Sequence, residues 1–507
     1  MGYYVTTPIY YVNAEPHLGH AYTTIAADVL ARHRRQRGEE VFFLTGTDEH
    51  GEPVALAAEP LGTTPRELAD RNAPRFEALA QRLNATNDFF IRTSDERHVA
   101  AVQEILTRVK EAGHVYRGTY EGWYCPRCAD FKTDAELLEG NRCPIHRIEL
   151  VREREDNYFF RLSTFQERLE RLYAEQPDRV LPEHRRNEAL AFIGQGLTDV
   201  SLSRSRVTWG VPVPWDEDHV FYVWFDALLN YYTALTFARP GEDLRERFWP
   251  ANVHVMAKDI LKFHAVIWPA LLMAAELDLP EHLFVHGYLL MDEHKMSKSL
   301  GNVIDPFQVM DLYGTDALRY YLMREVNFGQ DGSVSPEGFE TRYTTELANE
   351  YGNLASRTLA MIARYREGVV PAAEPPSTLA ADFQGLTERV RERFDAVEVT
   401  GALDEVWRLV RRLNQYVQDE APWQLAKDEG EAERLDAVLV GLAEGLRVVS
   451  VLLHPYMPES VERLLAALGD EDLSLERASF GAGARGRKVA ELTPLFPRVE
   501  RAGAAVA

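Results

Sequence analysis

The sequence predicts an α/β chain: a parallel sheet built in two halves, an inserted domain between them, and an all-α segment at the end. Three observations predict it. Residues 3–7 form a short β-rich run, 8–16 a turn-rich loop, 18–37 a helix-spaced stretch and 41–44 a second β-rich run. Within the helical stretch Ala21, Ile25 and Val29 make one stripe, with Tyr22, Ala26 and Leu30 beside it, and Gly38 supplies a C-terminal cap. Strand, crossover helix and strand imply parallel pairing, and ligands of such sheets sit at the carboxyl ends of the strands. Around Tyr116 the texture changes to a Cys- and Arg-containing stretch that runs to about Arg206, and apolar runs resume at 220–225. From about Glu346 strand signals almost vanish. The expected segments are therefore 1–115 and 216–290 for the two sheet halves, 116–215 for the insertion, 291–348 for a loop and joining segment, and 349–507 for the helices. Residues 371–376 read as a loop, and the small residues 502–507 as a frayed tail.

Bulk properties narrow the class. The chain has 507 residues, enough for roughly three domains. With 46% hydrophobic and 27% charged residues it has the composition of a globular protein with a sizeable core. The formal charge of −23 excludes a nonspecific nucleic-acid coat but not a selective RNA ligand met by local basic strips. Three cysteines, an odd number, exclude a disulfide framework. No basic-then-apolar leader and no membrane-length apolar run is present, so a cytoplasmic protein without membrane contact is expected.

Two short segments carry most of the chemistry. His17-Leu18-Gly19-His20 stands where a loop gives way to a helix. A helix start offers free N–H groups and a positive dipole end to phosphate, imidazole adds donors, and Gly19 lets a flat ring approach the backbone. Three residues apart, the histidines are expected on one helix face. Alone, such a pair is more often a helix cap or a chance pair. Lys295-Met296-Ser297-Lys298-Ser299 places two lysines around small hydroxyl residues, positive charge of the kind that phosphoryl transfer needs. Alone, it reads as a solvated basic turn. No GxGxxG follows the first strand and no GxxxxGK[ST] is present, which excludes the common dinucleotide and P-loop readings. A third pattern, Cys125-Pro-Arg-Cys128 with Cys143-Pro-Ile-His146, uses every cysteine and has the spacing of a closed tetrahedral zinc knuckle.

In this order the first two segments resemble the HxGH and KMSKS motifs of class I aminoacyl-tRNA synthetases. The resemblance implies a Rossmann-like catalytic domain, with His17 and His20 holding ATP. Lys295 and Lys298 would stabilise the α-phosphate transition state and the leaving pyrophosphate, with Mg²⁺ bridging phosphate oxygens. Gly19, Asp259, Leu289, Met296, Ser297 and Ser299 would contact the nucleotide. Within the class the chain is most similar to methionyl-tRNA synthetases, along 4–28, 42–51, 221–231, 258–269 and 285–302. That similarity implies that Asp48 pairs with the substrate ammonium. Ile9, Tyr11, Trp224, Ala227, Leu228, Tyr231, Ile260 and His264 would line a thioether pocket, His264 near the sulfur. Aromatic residues so spaced also read as plain core. The family usually has Gly before Lys258-Asp259, where this chain has Ala257, and some relatives have proline at the position of Leu228. The similarity also implies one structural zinc, on Cys125, Cys128, Cys143 and His146.

The helical segment would read the anticodon of tRNA(Met). Asn349, Asn353 and Arg357 recur at helical steps of four, and Pro422-Trp423 offers a ring for stacking on an unpaired base. A buried tryptophan in an amphipathic bundle is the competing reading. Asp316-Ala-Leu-Arg319-Tyr-Tyr321 resembles the family's joining segment. With no strand-rich segment after the helices, a monomer is expected. The activity implied is ATP-dependent activation of methionine and its transfer to the terminal adenosine of the tRNA. The alternatives are a class I synthetase for another apolar amino acid and a non-catalytic tRNA-binding paralogue.

Overall fold

The computed structural model describes residues 2–127, 130–132, 134–291, 294–295, 305–481 and 483–499. It resolves into two compact units. One comprises Met1–Pro16, Val41–Gln81 and Asn87–His286; the other His17–Glu40, Arg82–Thr86 and Gly287–Ala507. These boundaries run differently from the expected segments. Residues 17–40 and 82–86 fall inside the expected first half-sheet, yet they pack with the helical unit. Polar anchors explain why. The Gln36 amide donates to the Val451 and Leu473 carbonyls at 2.9 and 3.0 Å, and Asp28 pairs with Arg319 at 2.7 Å.

The first unit is organised by a seven-stranded, wholly parallel sheet. Its order is Tyr10–Tyr11, Val41–Asp48, Tyr3–Thr6, Val253–Ala257, His282–His286 and Val180–Leu181, with Phe89–Arg92 also pairing to Val41–Asp48. The second strand runs four residues further than its β-branched and aromatic run suggests. Gly46 permits this, because a Cβ there would collide with the Ile91 carbonyl of the neighbouring strand. Val180–Leu181 lies inside the expected insertion but closes one edge of this sheet. A two-residue strand leaves no alternation to read. The chain leaves Tyr3–Thr6 for Val41–Asp48 on one side and Val253–Ala257 on the other. That is a topological switch point, and the crevice beyond the carboxyl ends is the place for a ligand. The insertion also carries an antiparallel sheet ordered Asp130–Lys132, Val115–Cys125, Val151–Phe160, Val200–Ser201, with helices Gln166–Glu175 and Glu183–Ile193 beside it in sequence.

The second unit is helical, with Thr315–Glu325, Asn353–Tyr365, Val399–Glu420, Ala432–Leu453 and Pro458–Ala467 as its main helices. Ala432–Leu453 is apolar nearly all round and is buried accordingly. A small sheet in this unit pairs Leu289–Met291 with His294–Lys295 and Gly332–Ser333. Helix Leu18–Gln36 ends as expected, on Gly38 at φ +75°. Among the described residues no helix is long and apolar enough to cross a membrane.

Candidate active site

In the first unit the carboxyl ends of the strands carry a carboxylate beside an aromatic cluster. Asp48 ends its strand, and Ile9 and Tyr11 follow the strand Tyr3–Thr6. Helix Val223–Phe237 delivers Trp224, Ala227, Leu228 and Tyr231, all buried. Trp224 stacks on Phe263 at 3.7 Å, and Tyr11 meets it edge-on at 6.4 Å. His264 lies against both Trp224 and Tyr231. Ile9 and Ile260 pack partly buried against the same core.

His264 owes its position to a local break in helical winding. Pro269 has no N–H with which to bond the Ala265 carbonyl, and Tyr173 donates its hydroxyl there instead. The segment Phe263–Ile267 takes the wider π winding, a distortion frequent at functional sites. His264 Nδ1 lies 3.0 Å from the Ile260 carbonyl and must donate to it, so Nε2 accepts from the Tyr231 hydroxyl at 2.8 Å. Burial, outweighing the Ile260 carbonyl and Asp259, pushes the imidazole down to about 4. A neutral ring and a phenol therefore face the cluster, a soft polar edge suited to a thioether and not to a charge.

Asp48 has the opposite character. It is buried, and burial first, then the Asp226 and Glu49 carboxylates, push its carboxyl well above the usual range. The His50 backbone N–H and the Tyr11 hydroxyl act against that rise. Oδ1 of Asp48 and the indole Nε1 of Trp224 are buried with no hydrogen-bond partner among the described residues. Native proteins seldom leave such groups unpaired, and a cationic ligand would satisfy the carboxylate. Asp259 is exposed in the turn Lys258–Ile260, directly after the strand that ends on Ala257.

In the second unit the two histidines do not simply share a helix face. His17 is the N-cap itself, extended at φ −139°, and His20 sits in the first turn. His17 Nδ1 accepts from the Gly19 N–H at 3.1 Å and His20 Nδ1 from the His17 N–H at 3.0 Å, a reciprocal capping box made of two imidazoles. The rings stack at 3.8 Å, and a Cβ on Gly19 would stand 2.9 Å from the His17 ring. With both Nδ1 atoms accepting, each neutral ring carries its proton on Nε2. Leu289 is buried at the start of its strand. Only the backbone of Lys295 is described, paired with Leu290; Met296, Ser297, Lys298 and Ser299 lie outside the described residues.

On the helical surface Asn349 and Asn353 are exposed and Arg357 half-buried, its guanidinium 5.6 Å over the half-exposed ring of Trp423 beside buried Pro422. The expected step of four is not regular here, because Tyr343–Gly352 takes π winding and α-helical winding resumes at Asn353. In the insertion Cys125, Cys143 and His146 present ligand atoms within 4.8 Å of one another, with Nδ1 at 3.8 and 3.9 Å from the two sulfurs. A tetrahedral zinc holding sulfur at about 2.3 Å and nitrogen at about 2.0 Å sets its ligands roughly 3.5–3.8 Å apart, so the three fit. The His146 N–H also points at Cys143 Sγ at 3.4 Å. Cys128 lies outside the described residues.

Among the buried networks of the described residues that were not anticipated, two concern the sites above. His50, Asp226 and His98 form one, and Asp28, Arg32 and Arg319 the other. The signal for Asp226 was present, the only charged residue of a largely apolar helix. His98 carried none.

The chain matches the family model described as tRNA synthetases class I (M) over residues 3–151 and 136–359. It matches the anticodon binding domain of methionyl tRNA ligase over 368–499. The parallel sheet, the helix-start histidine pair and the following helical unit are those of a class I tRNA synthetase. Its relatives narrow this further. The methionine–tRNA ligase of Caldanaerobacter subterraneus is 44% identical over 98% of this chain and 79% of its own. That of Streptomyces coelicolor is 46% identical over 99% and 98%. The structure of Mycobacterium tuberculosis methionyl-tRNA synthetase in complex with methionyl-adenylate superposes with a TM-score of 0.95 at 42% identity, covering 98% of this chain and 100% of that one. The chain belongs to the methionyl-tRNA synthetase family.

Proposed function

We propose that this chain activates L-methionine with ATP to methionyl-adenylate and pyrophosphate, then transfers the methionyl group to the 3′-terminal adenosine of tRNA(Met) in the cytoplasm. The observation that carries this reading is Asp48, a buried carboxylate with an orphaned oxygen beside an aromatic cluster whose polar edge is neutral. An ammonium group and an apolar thioether side chain complement that arrangement. The substrate carboxylate is already a nucleophile at neutral pH. It attacks the α-phosphorus in line, and the bond to the bridging oxygen breaks as pyrophosphate leaves. The protein contributes position and charge. His17 and His20 donate to phosphate from Nε2. Lys295 and Lys298 would neutralise the charge that develops, and Mg²⁺ arriving with ATP would supply further positive charge. In the second step the adenosine hydroxyl attacks the activated carbonyl and AMP leaves.

The direct test is amino-acid-dependent ATP–pyrophosphate exchange across the standard amino acids, without tRNA. Exchange with methionine alone supports the reading, and exchange with another amino acid refutes the pocket assignment. No exchange in folded protein refutes the enzyme. Lys298→Ala is expected to slow single-turnover adenylation by ~10²–10³-fold with little change in methionine affinity. An unchanged rate would remove the lysine from the mechanism.

Cys125, Cys128, Cys143 and His146 would hold one zinc ion, which supplies folding energy to the insertion and no chemistry. About one molar equivalent of zinc should copurify, and its complete absence from active protein would refute the site. Trp423→Ala is expected to lower aminoacylation efficiency by about 5–150-fold, the loss of one base stack, while leaving tRNA-free exchange intact. Unaltered aminoacylation with a lower melting temperature would instead make Trp423 a packing residue.

A further inference from the structure

Helix Val223–Phe237 is buried along nearly its whole length, yet it carries a carboxylate in its first turn. Asp226 is fully buried. Its Oδ2 lies 2.6 Å from His50 Nδ1 and its Oδ1 2.7 Å from His98 Nε2. His98, fully buried on helix Glu96–Glu111, reaches back through Nδ1 to Thr233 Oγ1 at 2.7 Å, two turns further along the helix of Asp226. Burial favours protonation of Asp226, but the charge and hydrogen bond of His50, followed by those of His98, hold the carboxyl down to about 2. A buried ion with two imidazoles is costly compared with an apolar residue of the same size. Core packing alone does not account for it.

What the network joins does. His50 follows Asp48 by two residues and is braced by Trp209. The Trp209 ring meets the His50 ring edge-on at 5.2 Å, its indole N–H donates to the Glu49 carbonyl, and its own carbonyl accepts the Gly51 N–H at 3.0 Å. Trp224, Ala227, Leu228 and Tyr231 sit on the helix of Asp226. One carboxylate thus ties the segment that bears the ammonium-binding group to the helix that bears the side-chain pocket. We propose that Asp226 is a positioning residue for the amino-acid substrate, fixing Asp48 through His50. This rests on the activation reading above.

The test compares Asp226→Asn, His50→Ala and His50→Asn with the parent enzyme in ATP–pyrophosphate exchange, using whichever amino acid the parent activates. An unexpected amino acid would therefore refute the pocket assignment without deciding this proposal. Asp226→Asn is expected to raise the amino-acid KM by ~10-fold or more with the ATP KM within ~2-fold. The groups facing Asp48 are Asp226, Glu49, the His50 N–H and Tyr11, and Glu49 is itself paired with Arg92 at 2.7 Å. With the Asp226 charge removed, the acid limb of the amino-acid KM profile should move to lower pH with the melting temperature kept, whereas loosened packing, which would also hydrate Asp48 and lower its carboxyl, would lower the melting temperature as well. His50→Ala should raise the amino-acid KM, and His50→Asn, which keeps a donor near Nδ1, should restore most of it. If Asp226→Asn does not fold, the His50 pair decides. Variants that lose thermal stability while the two KM values keep their ratio and the acid limb stays in place would overturn the proposal.

Discussion

Asp48→Asn is expected to raise the methionine KM by roughly 30- to several-thousand-fold, the effect of removing one partner of a buried charge pair worth about 2–5 kcal/mol. The ATP KM should change little. The argument begins with burial. Asp48 is 2% exposed, and one of its carboxylate oxygens has no partner among the described residues. Burial, with Asp226 and Glu49 after it, raises its proton affinity in the folded chain. On the proposed reading methionine binds to the ionised form, and its ammonium group would stabilise that form. The parent enzyme should lose methionine affinity as pH falls through the raised carboxyl value, at higher pH than an ordinary aspartate would impose. The asparagine variant should be flat over the same range. Linkage gives the stability the opposite sign. A carboxyl whose folded pKa exceeds its unfolded value binds its proton more tightly when folded. Its contribution is favourable at low pH and is lost as pH rises from the unfolded value through the folded one. Above its unfolded value Asp48 thus costs the fold stability, and Asp48→Asn should melt higher than the parent at neutral pH while binding methionine worse. Steady-state exchange kinetics and thermal unfolding check both halves. A variant that binds worse and also melts lower would mean that Asp48 is a structural residue.

Some of this was legible in the sequence, and the distinction is one of range. Helix Leu18–Gln36 and its glycine stop follow from local spacing. So does the grouping of Cys125, Cys143 and His146, since paired tight turns bring such residues together. The residue pattern alone stops the strand that carries Asp48 at Leu44, because the need for Gly46 is set by a neighbour met only in the folded sheet. The π winding at His264 has a local cause in Pro269, yet its acceptor is satisfied by Tyr173, 92 residues away along the chain. The buried ions lie furthest beyond sequence reasoning. His98 stands 128 positions from Asp226, and Arg319 stands 291 from Asp28. Spacing rules extend over a few helical turns and say nothing about such partners. The two histidines at the helix start show a different limit. The phosphate reading and the cap reading stand as alternatives in the sequence; the geometry shows the cap, made through Nδ1, and the phosphate reading stays a proposal that uses the Nε2 protons.

Arg319→Met should lower the stability of the helical unit by about 3–5 kcal/mol, the usual result of removing one partner from a buried pair. Arg319 is fully buried. Its guanidinium donates to Asp28 Oδ2 at 2.7 Å and to the carbonyls of Leu83, Pro455 and Tyr456 at 2.9, 2.6 and 3.1 Å. Methionine fills similar volume but leaves three carbonyls without their donor, and Asp28 with Arg32 and Thr86 alone. Asp28 is buried as well. Burial would raise its carboxyl, and Arg319 first, then Arg32, hold it below the usual range. A depressed carboxyl stabilises the fold above its unfolded pKa and loses that contribution as pH falls through the folded value, so the stability gap between Arg319→Met and the parent should narrow in acid. Function should follow stability here, because Asp28 lies on the helix whose N-terminus carries His17, Gly19 and His20. Denaturant unfolding of the variant, of Asp28→Asn and of the double variant closes a cycle that isolates the ion pair from the carbonyl bonds. A coupling energy near zero would assign the loss to the carbonyls. A variant within about 1 kcal/mol of the parent would show that the clasp does not hold the helix.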